Sequence, residues 1–576
     1  MNNDIQIEYK VATTLLNDDF LNVENLQFYN PIYDKFFILN DNNYNEITLK
    51  QPYDIISIVK QFTYNSYLCL LKKNDEKVTK EVFIKFAPIV DPIKYMIGKY
   101  NFDNNLFELP NFKNKTQHKK IMDQNNCAYI DGFFVYLTSK LLHEYQFING
   151  TEFYGSYLAN HKDMKINIYE DIDFLNESDE FHKYKKSKFK IDDSFYDELS
   201  NYDSNDNKKK INITDGNDIS LDILDISDNL CSSNDDKGPL TITDLSDISM
   251  SDIIISNKED SKCSSITGST CSSRSSHTES SEDDDEENSI DDESFESSEE
   301  EEEEMEIFAH IENFPVNLIV MEKCNDTLDS YMNKNTIEEE EWLSILLQVI
   351  FTLIAYQKVF DLTHNDLHTN NVMYVNTDKQ YIYYAYDNKT YKVPTYGKIW
   401  KIIDFGRAIY KYKNIVLCSD SFHPDGDAST QYNFEPYINN NKPRLEPNFS
   451  FDLSRLGCSI YDFISEKYEE LEEIKWPIHK IIMNWCLDDD NRNILYKNNG
   501  EERYPDFKLY KMIARKVNNH LPIKELSNKY FNKYVVPKKE IKKGSNIWNI
   551  DTLDINNSIA SLNNISLSQP ILDECD

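Results

Sequence analysis

Between residues 171 and 306 the chain carries 41 acidic and 12 basic residues, set among runs of Ser and Asn. Such a segment has too little apolar surface to offset the entropy lost on ordering, so it is predicted to stay disordered. The foldable material is therefore split, and any fold must bring residues 1–170 and 307–576 together around a looped-out insertion. The insertion holds −29 of the formal net charge of −39 and leaves −10 on the other 440 residues. Within it, LDILDISD (221–228) and ITDLSDISMSD (242–252) form an imperfect repeat, which reads as a partner-docking motif or as a plain spacer.

Charge and hydropathy exclude several roles. An anionic chain repels nucleic-acid backbones and anionic membranes before contact, so neither is expected as a partner. The opening MNNDIQIEYKVATTLL has no charged-then-apolar leader. The most apolar run, WLSILLQVIFTLIAY (342–356), is short for a membrane span and is interrupted by Ser344, Gln348 and Thr352. Ten cysteines without a CxxC pair suit free thiols in a reducing compartment. The expectation is a soluble intracellular protein.

Outside the insertion, periodicity divides the chain into a strand-rich and a helix-rich part. DIISIVKQFTYNSYLCLLKK (54–73) and VTKEVFIKFAPIVDP (78–92) alternate like adjacent strands of a meander. NNCAYIDGFFVYLTSKLLHEY (125–145) has helical spacing, and EFYGSYLA (152–159) and NFPVNLIVMEKC (313–324) read as strands. A long helix is expected from about 337 to 360, with IEEEE at its positive end. From Phe451 onward the apolar pattern is helical. The expected boundaries are a weakly patterned extension at 1–50, a strand-rich part at 51–170, the insertion at 171–306, a mainly helical part at 307–536, and a polar tail at 537–576.

Two short stretches carry chemistry. HNDLHTNN (364–371) and IIDFG (402–406) each place an Asp at a turn after an apolar strand, with Asn371 five residues beyond Asp366. Phosphoryl transfer needs a carboxylate to accept the attacking hydroxyl's proton, and oxygen ligands to hold Mg²⁺ on the phosphates. Asp366, Asn371 and Asp404 supply those groups. Here the chain resembles the eukaryotic-type protein kinases, whose signatures are HRDxxxxN and DFG. VFIK (82–85) resembles their third strand, making Lys85 the catalytic ligand of the ATP phosphates. LIVMEKC (318–324) resembles the hinge, with Met321 as gatekeeper and Glu322 beside the nucleotide. FSFDLSRLG (449–457) resembles the central helix, with Asp452 bracing the catalytic loop. WCLDDDNR (485–492) resembles a late motif whose arginine, Arg492, pairs with a glutamate such as Glu435.

The resemblance implies an α+β, bilobal protein-kinase fold. It would have a small antiparallel β lobe and a mainly helical large lobe, with the disordered acidic insertion looped out of the small lobe. It implies ATP and Mg²⁺ as cofactors and protein Ser/Thr hydroxyls as acceptors. DLHxxN is similar to the haspin-like catalytic loop, while HND also occurs in kinase-like small-molecule phosphotransferases. Divergent kinases of this kind are encoded by giant DNA viruses, which would place the protein in host cytoplasm or virion; the Asn/Lys/Ile/Tyr-rich composition suits an AT-rich genome.

Departures from the pattern keep other readings open. Lys60, Phe62 and Asn65 stand where a glycine loop would approach the phosphates. Phe83 replaces the small residue beside adenine, and Asn365 replaces the arginine that reads a phosphorylated activation loop. His368 takes the place of a lysine, and His364 reads as a packed structural histidine. The acidic partner of Lys85 is Asp131 or Glu144, both on the helix at 125–145, with Asp131 preferred. A pseudokinase scaffold and a small-molecule phosphotransferase are the competing functions.

Overall fold

In the computed structural model, residues 6–12, 19–192, 307–464 and 476–553 are described, apart from positions 103, 115 and 542. Strand β1 (Tyr9–Val11) pairs antiparallel with β3 (Ile47–Leu49), while β2 (Val23–Gln27) joins the edge of a larger sheet. That sheet takes the β-branched and aromatic runs β4 (Tyr53–Gln61), β5 (Ser66–Lys73), β6 (Glu76–Pro88), β7 (Phe153–Asn167), β8 (Lys190–Ile191) and β9 (Phe308–Glu322). Its seven strands run β2-β7-β9-β6-β5-β4, with β8 alongside β9, and every pairing is antiparallel. Register sets Lys85 opposite Ile319, Phe83 opposite Met321 and Val82 opposite Glu322.

Short helices α1 (Pro92–Met96) and α2 (Lys119–Met122) lead into α3 (Cys127–Tyr145), which lies against this sheet. Gly132 permits the close approach: a Cβ there would fall 2.9 Å from Asn317 Nδ2 and 3.3 Å from Ile319. Asn317 in turn donates from Nδ2 to the carbonyl of Ala128 at 2.7 Å and accepts from Ser156 Oγ at 2.7 Å. The contact fixes the height and rotation of α3 at the residue next to Asp131.

The helix-rich part contains α6 (Leu328–Lys334), α7 (Glu339–Phe360), α8 (Phe451–Ile464), α9 (Pro477–Trp485), α10 (Phe507–Lys516) and α11 (Pro522–Glu525). Beside them β10 (Asp326–Thr327), β11 (Val372–Asn376) and β14 (Lys398–Ile402) form a three-stranded antiparallel sheet. The Tyr-rich segment forms the hairpin β12 (Tyr381–Tyr386) and β13 (Lys389–Pro394), and a second hairpin joins β15 (Ile409–Tyr412) to β16 (Ile415–Cys418). The described chain is thus α+β with mostly antiparallel sheets.

Helix α7 has 22 residues, enough by length and composition to cross a membrane, yet its apolar window is 94% buried by the protein itself. Two of its buried polar side chains are satisfied from neighbouring strands. Ser344 donates to the carbonyl of Pro394, and Gln348 Oε1 accepts from the Trp400 N–H at 3.0 Å. The six described cysteines are all free thiols.

Three boundaries differ from the sequence reading. The acidic segment does not begin at 171: α4 (Ile172–Asn176), α5 (Asp179–Tyr184) and β8 are ordered, with Leu175, Phe181 and Phe189 buried. Sparse aromatics spaced along an acidic background provide the apolar surface that composition averaging hides. The predicted disorder from 193 to 306, and the repeat within it, lie outside the described residues. Residues 1–50 are not a loose extension, because Tyr33 is buried and Phe36 stacks on Phe133 at 4.7 Å. The described part of the polar tail, up to 553, also folds back: β17 (Ile547–Asn549) pairs in parallel with β12, and Trp548 stacks on Phe147 at 3.9 Å.

Candidate active site

Alternation along β6 turns Ile84 and Phe86 to one face of the sheet and Lys85 to the other, toward α3. A buried ammonium needs paired charge. Lys85 Nζ lies 2.7 Å from Asp131 Oδ2 and 2.8 Å from Asp404 Oδ1, and Lys85 is 8% exposed. Burial works against the charge on Lys85, but Asp131 and Asp404 outweigh it and hold its pKa above the ordinary lysine value. The other oxygen of Asp131 accepts from the Phe405 N–H at 2.9 Å. Of the two candidate partners, the structure selects Asp131; Glu144 pairs with Lys140 instead.

Asp404 leaves β14 with φ +62°, a left-handed conformation that Asp tolerates better than most residues. The neighbouring ring fixes the turn: Phe405 lies 4.4 Å from Phe134, 5.3 Å from His364 and 6.1 Å from Tyr356. One aromatic cluster therefore joins α3, α7, the 364–371 loop and the turn after β14.

The loop itself hangs on Asp452, fully buried in the first turn of α8. Its two oxygens accept from the N–H groups of His364 and Asn365, each at 2.9 Å. Asp452 thus occupies the bracing position expected from the sequence. His364 bonds the Ile403 carbonyl through Nε2 at 2.9 Å, a structural role. Asn365, at φ +66°, is fully consumed: Nδ2 donates to the carbonyls of Thr363 and Arg407, and Oδ1 accepts from Tyr432 Oη at 2.7 Å. A neutral side chain here ties two backbone carbonyls and the Tyr432 hydroxyl together.

Asn371 donates from Nδ2 to the Asp366 carbonyl at 2.8 Å and bonds His368 Nε2 at 3.1 Å, which leaves its Oδ1 available. The Ile403 N–H donates to the Asn371 carbonyl at 3.0 Å, which sets Asn371 beside the turn carrying Asp404. Asn371 Oδ1 and the second oxygen of Asp404 are hard donors of the kind that hold Mg²⁺ together with phosphate oxygens. Among the described residues, no group of three or more His, Cys, Asp or Glu could hold a metal alone. The residues present fit a Mg²⁺ that takes its remaining ligands from a bound nucleotide and water.

Asp366 accepts from Tyr510 Oη at 2.8 Å on Oδ1. Burial raises its pKa, but the charges of Arg407, His368 and Arg455 and the Tyr510 bond bring it down to about 2. His368 is pushed by burial down to about 4, so it accepts as a neutral ring. The carboxylate is ionised throughout the neutral range.

Near the end of β9, Met321 is buried opposite half-buried Phe83. Glu322 Oε1 is taken up by Lys401 and by the Glu152 N–H at 2.7 Å, and the Glu322 N–H donates back to the Glu152 carbonyl at 2.9 Å. The β4–β5 hairpin, which lacks the expected glycines, is pinned by side chains. Asn65 Nδ2 donates to the Ile84 carbonyl at 2.8 Å, and the Ile84 N–H donates back to the Asn65 carbonyl at 2.8 Å. Tyr64 Oη bonds His161 Nε2 at 3.1 Å, and its ring packs on Phe86 at 5.4 Å. Lys60 lies over the Phe62 ring at 4.8 Å.

One expected pair does not form. Arg492 binds Asp488 and Asp490, each at 2.8 Å, and Glu435 binds Arg444 at 2.7 Å. The DDDNR run supplies carboxylates two and four residues before Arg492, and these local partners win over a distant one. The sequence reading missed Tyr510, Arg407, Arg455 and Asp420. Asp420 ties α3 to the segment after β16: its Oδ1 accepts from the Cys127 N–H at 3.0 Å, its Oδ2 pairs with Lys120, and its N–H donates to the Asn125 carbonyl at 2.8 Å. Arg407, next to the IIDFG run, and Arg455, inside FSFDLSRLG, had a visible signal. No family model matches the chain, and no curated protein matches it either.

Proposed function

We propose that the chain is an ATP- and Mg²⁺-dependent protein kinase of bilobal fold that phosphorylates Ser or Thr hydroxyls. The observation that carries this reading is the linkage of five polar residues from separate segments of the chain. Lys85 from β6 is held between Asp131 of α3 and Asp404 after β14, and Asn371 couples that turn to Asp366. The sheet with α3 would form the small lobe, the helix-rich part the large lobe, and Met321–Glu322 the strap beside adenine.

In this reading Lys85 holds the α- and β-phosphates by its charge and is itself held by Asp131. Asp366 accepts the acceptor hydroxyl's proton as the oxygen attacks the γ-phosphorus and ADP leaves. Bound Mg²⁺ would neutralise charge on the phosphates, with Asn371 and Asp404 as its protein ligands. The neutral Asn365 and the Asp420 clamp on α3 suit an enzyme whose active geometry needs no phosphate on the segment after Asp404. The test is phosphate transfer from ATP to a mixed protein substrate, with Asp366→Asn alongside. A loss of at least about a hundredfold in the variant is expected; equal transfer by both proteins overturns the assignment.

The pinned hairpin and Phe83 favour a second reading, a nucleotide-free scaffold. A thermal shift on adding ATP and Mg²⁺ speaks for the kinase; no shift together with no transfer speaks for the scaffold.

A further inference from the structure

Tyr510 stands 144 residues beyond Asp366 in the chain, yet its hydroxyl donates to Asp366 Oδ1 at 2.8 Å. It belongs to α10, whose one apolar face (Phe507, Tyr510, Ile513, Ala514) is buried. The ring has little freedom. It is 3% exposed, stacks on Phe507 at 5.5 Å and lies 6.1 Å from Phe451. Two guanidinium groups approach it, Arg455 at 5.1 Å and Arg407 at 5.7 Å from its centroid. Arg407 is itself paired with Asp427 at 2.5 Å.

Asp366 Oδ1 is thus occupied by a donor that cannot swing away, while Oδ2 takes no hydrogen bond from the described residues. We propose that Tyr510 is a positioning residue for phosphoryl transfer, holding Asp366 in the rotamer that turns Oδ2 toward the acceptor hydroxyl. The inference rests on the kinase reading above. The proton leaving the acceptor oxygen goes to Oδ2 as the new oxygen–phosphorus bond forms and the bond to the ADP oxygen breaks. The Tyr510 proton stays on its own oxygen throughout, because burial raises its pKa. The charged or titratable groups facing the pair are Arg407, Arg455 and His368, and none of them donates to Oδ2.

The experiment compares the full chain with Tyr510→Phe, which keeps the ring and removes only the donor. A tenfold or greater fall in kcat is expected, with KM for ATP within twofold of the parent and an unchanged apparent melting temperature to within a few degrees. In an Asp366→Ala background, Tyr510→Phe should cause no further loss of activity, and urea unfolding midpoints of the two changes should combine non-additively. Parental kcat in Tyr510→Phe overturns the proposal, and so does faster transfer, which would mean that the hydroxyl blocks the base. Additive unfolding midpoints overturn the bond even where the kinase reading stands. No transfer by the parent, with non-additive midpoints retained, overturns the kinase reading and the positioning role of Tyr510 while leaving the bond itself in place.

Discussion

In the 364–371 loop and the turn at 403–407, buried side chains hold charged groups in position; in the hairpin of β4 and β5, side chains hold the backbone itself. The first region keeps the residue types and spacing that phosphoryl transfer needs, because a carboxylate, an amide and an ammonium have no substitutes for those tasks. The second contains no glycine and is held by Asn65 on Ile84 and Tyr64 on His161. Charge placement is therefore written in particular residues, whereas a backbone position can be reached by more than one set of side chains.

The largest effect should come from the charged region. Lys85→Met leaves buried Asp131 beside the partly exposed Asp404 without their cation, at a cost of about 3–5 kcal/mol. Urea unfolding of the variant checks this, and phosphate transfer should fall with it. An unchanged midpoint would mean that Lys85 does not bridge the two carboxylates.

An intermediate effect should follow acidification. His161 Nδ1 accepts from the Asp163 N–H at 3.2 Å, and burial pushes its pKa down to about 4. His368 is lowered similarly. Both pKa values are below that of an unfolded histidine, about 6.5. The unfolded chain therefore binds more protons between pH 6.5 and 4, and stability falls as pH drops through that window, by about 2 kcal/mol per histidine on going from pH 7 to 5. Asp366 works lower down: its folded pKa of about 2 lies under the unfolded value, so its contribution persists until pH falls below the ordinary Asp range. Thermal unfolding at pH 7 and 5 should show the loss in the parent and about half of it in His161→Gln. An equal loss in both would remove His161 from the account.

The smallest effect belongs to the hairpin tip. Asn65→Ala deletes one buried side-chain bond and should cost about 1 kcal/mol. On the proposed kinase reading, KM for ATP should change more than kcat, since the hairpin would face the nucleotide and not the acceptor. A change confined to kcat would reverse that view.

Much of the candidate site could be read from the sequence because its parts are short and local. HNDLHTNN, IIDFG and VFIK sit in continuous strand–turn segments, and the structure pairs Lys85 with Asp404 and links Asn371 both to the Ile403 N–H and to the Asp366 carbonyl. Asp131 could be preferred over Glu144 because it shares a helix face with Phe134. What escaped depends on long-range packing. Trp548 on Phe147, Phe36 on Phe133 and Tyr510 on Asp366 join residues that no window contains. The folded stretch 171–192 escaped because four buried apolar side chains were averaged into an acidic background. Arg492 and Glu435 went the other way, each finding a nearer partner than the resemblance assigned.

The most direct measurement is autophosphorylation of the purified full chain with ATP and Mg²⁺, mapped by mass spectrometry beside Asp366→Asn. Phosphoserine or phosphothreonine that accumulates with time in the parent, and does not in the variant, is the predicted result. No phosphate in the parent, or the same sites filled equally in both proteins, would contradict the claim that these residues form a phosphotransfer centre.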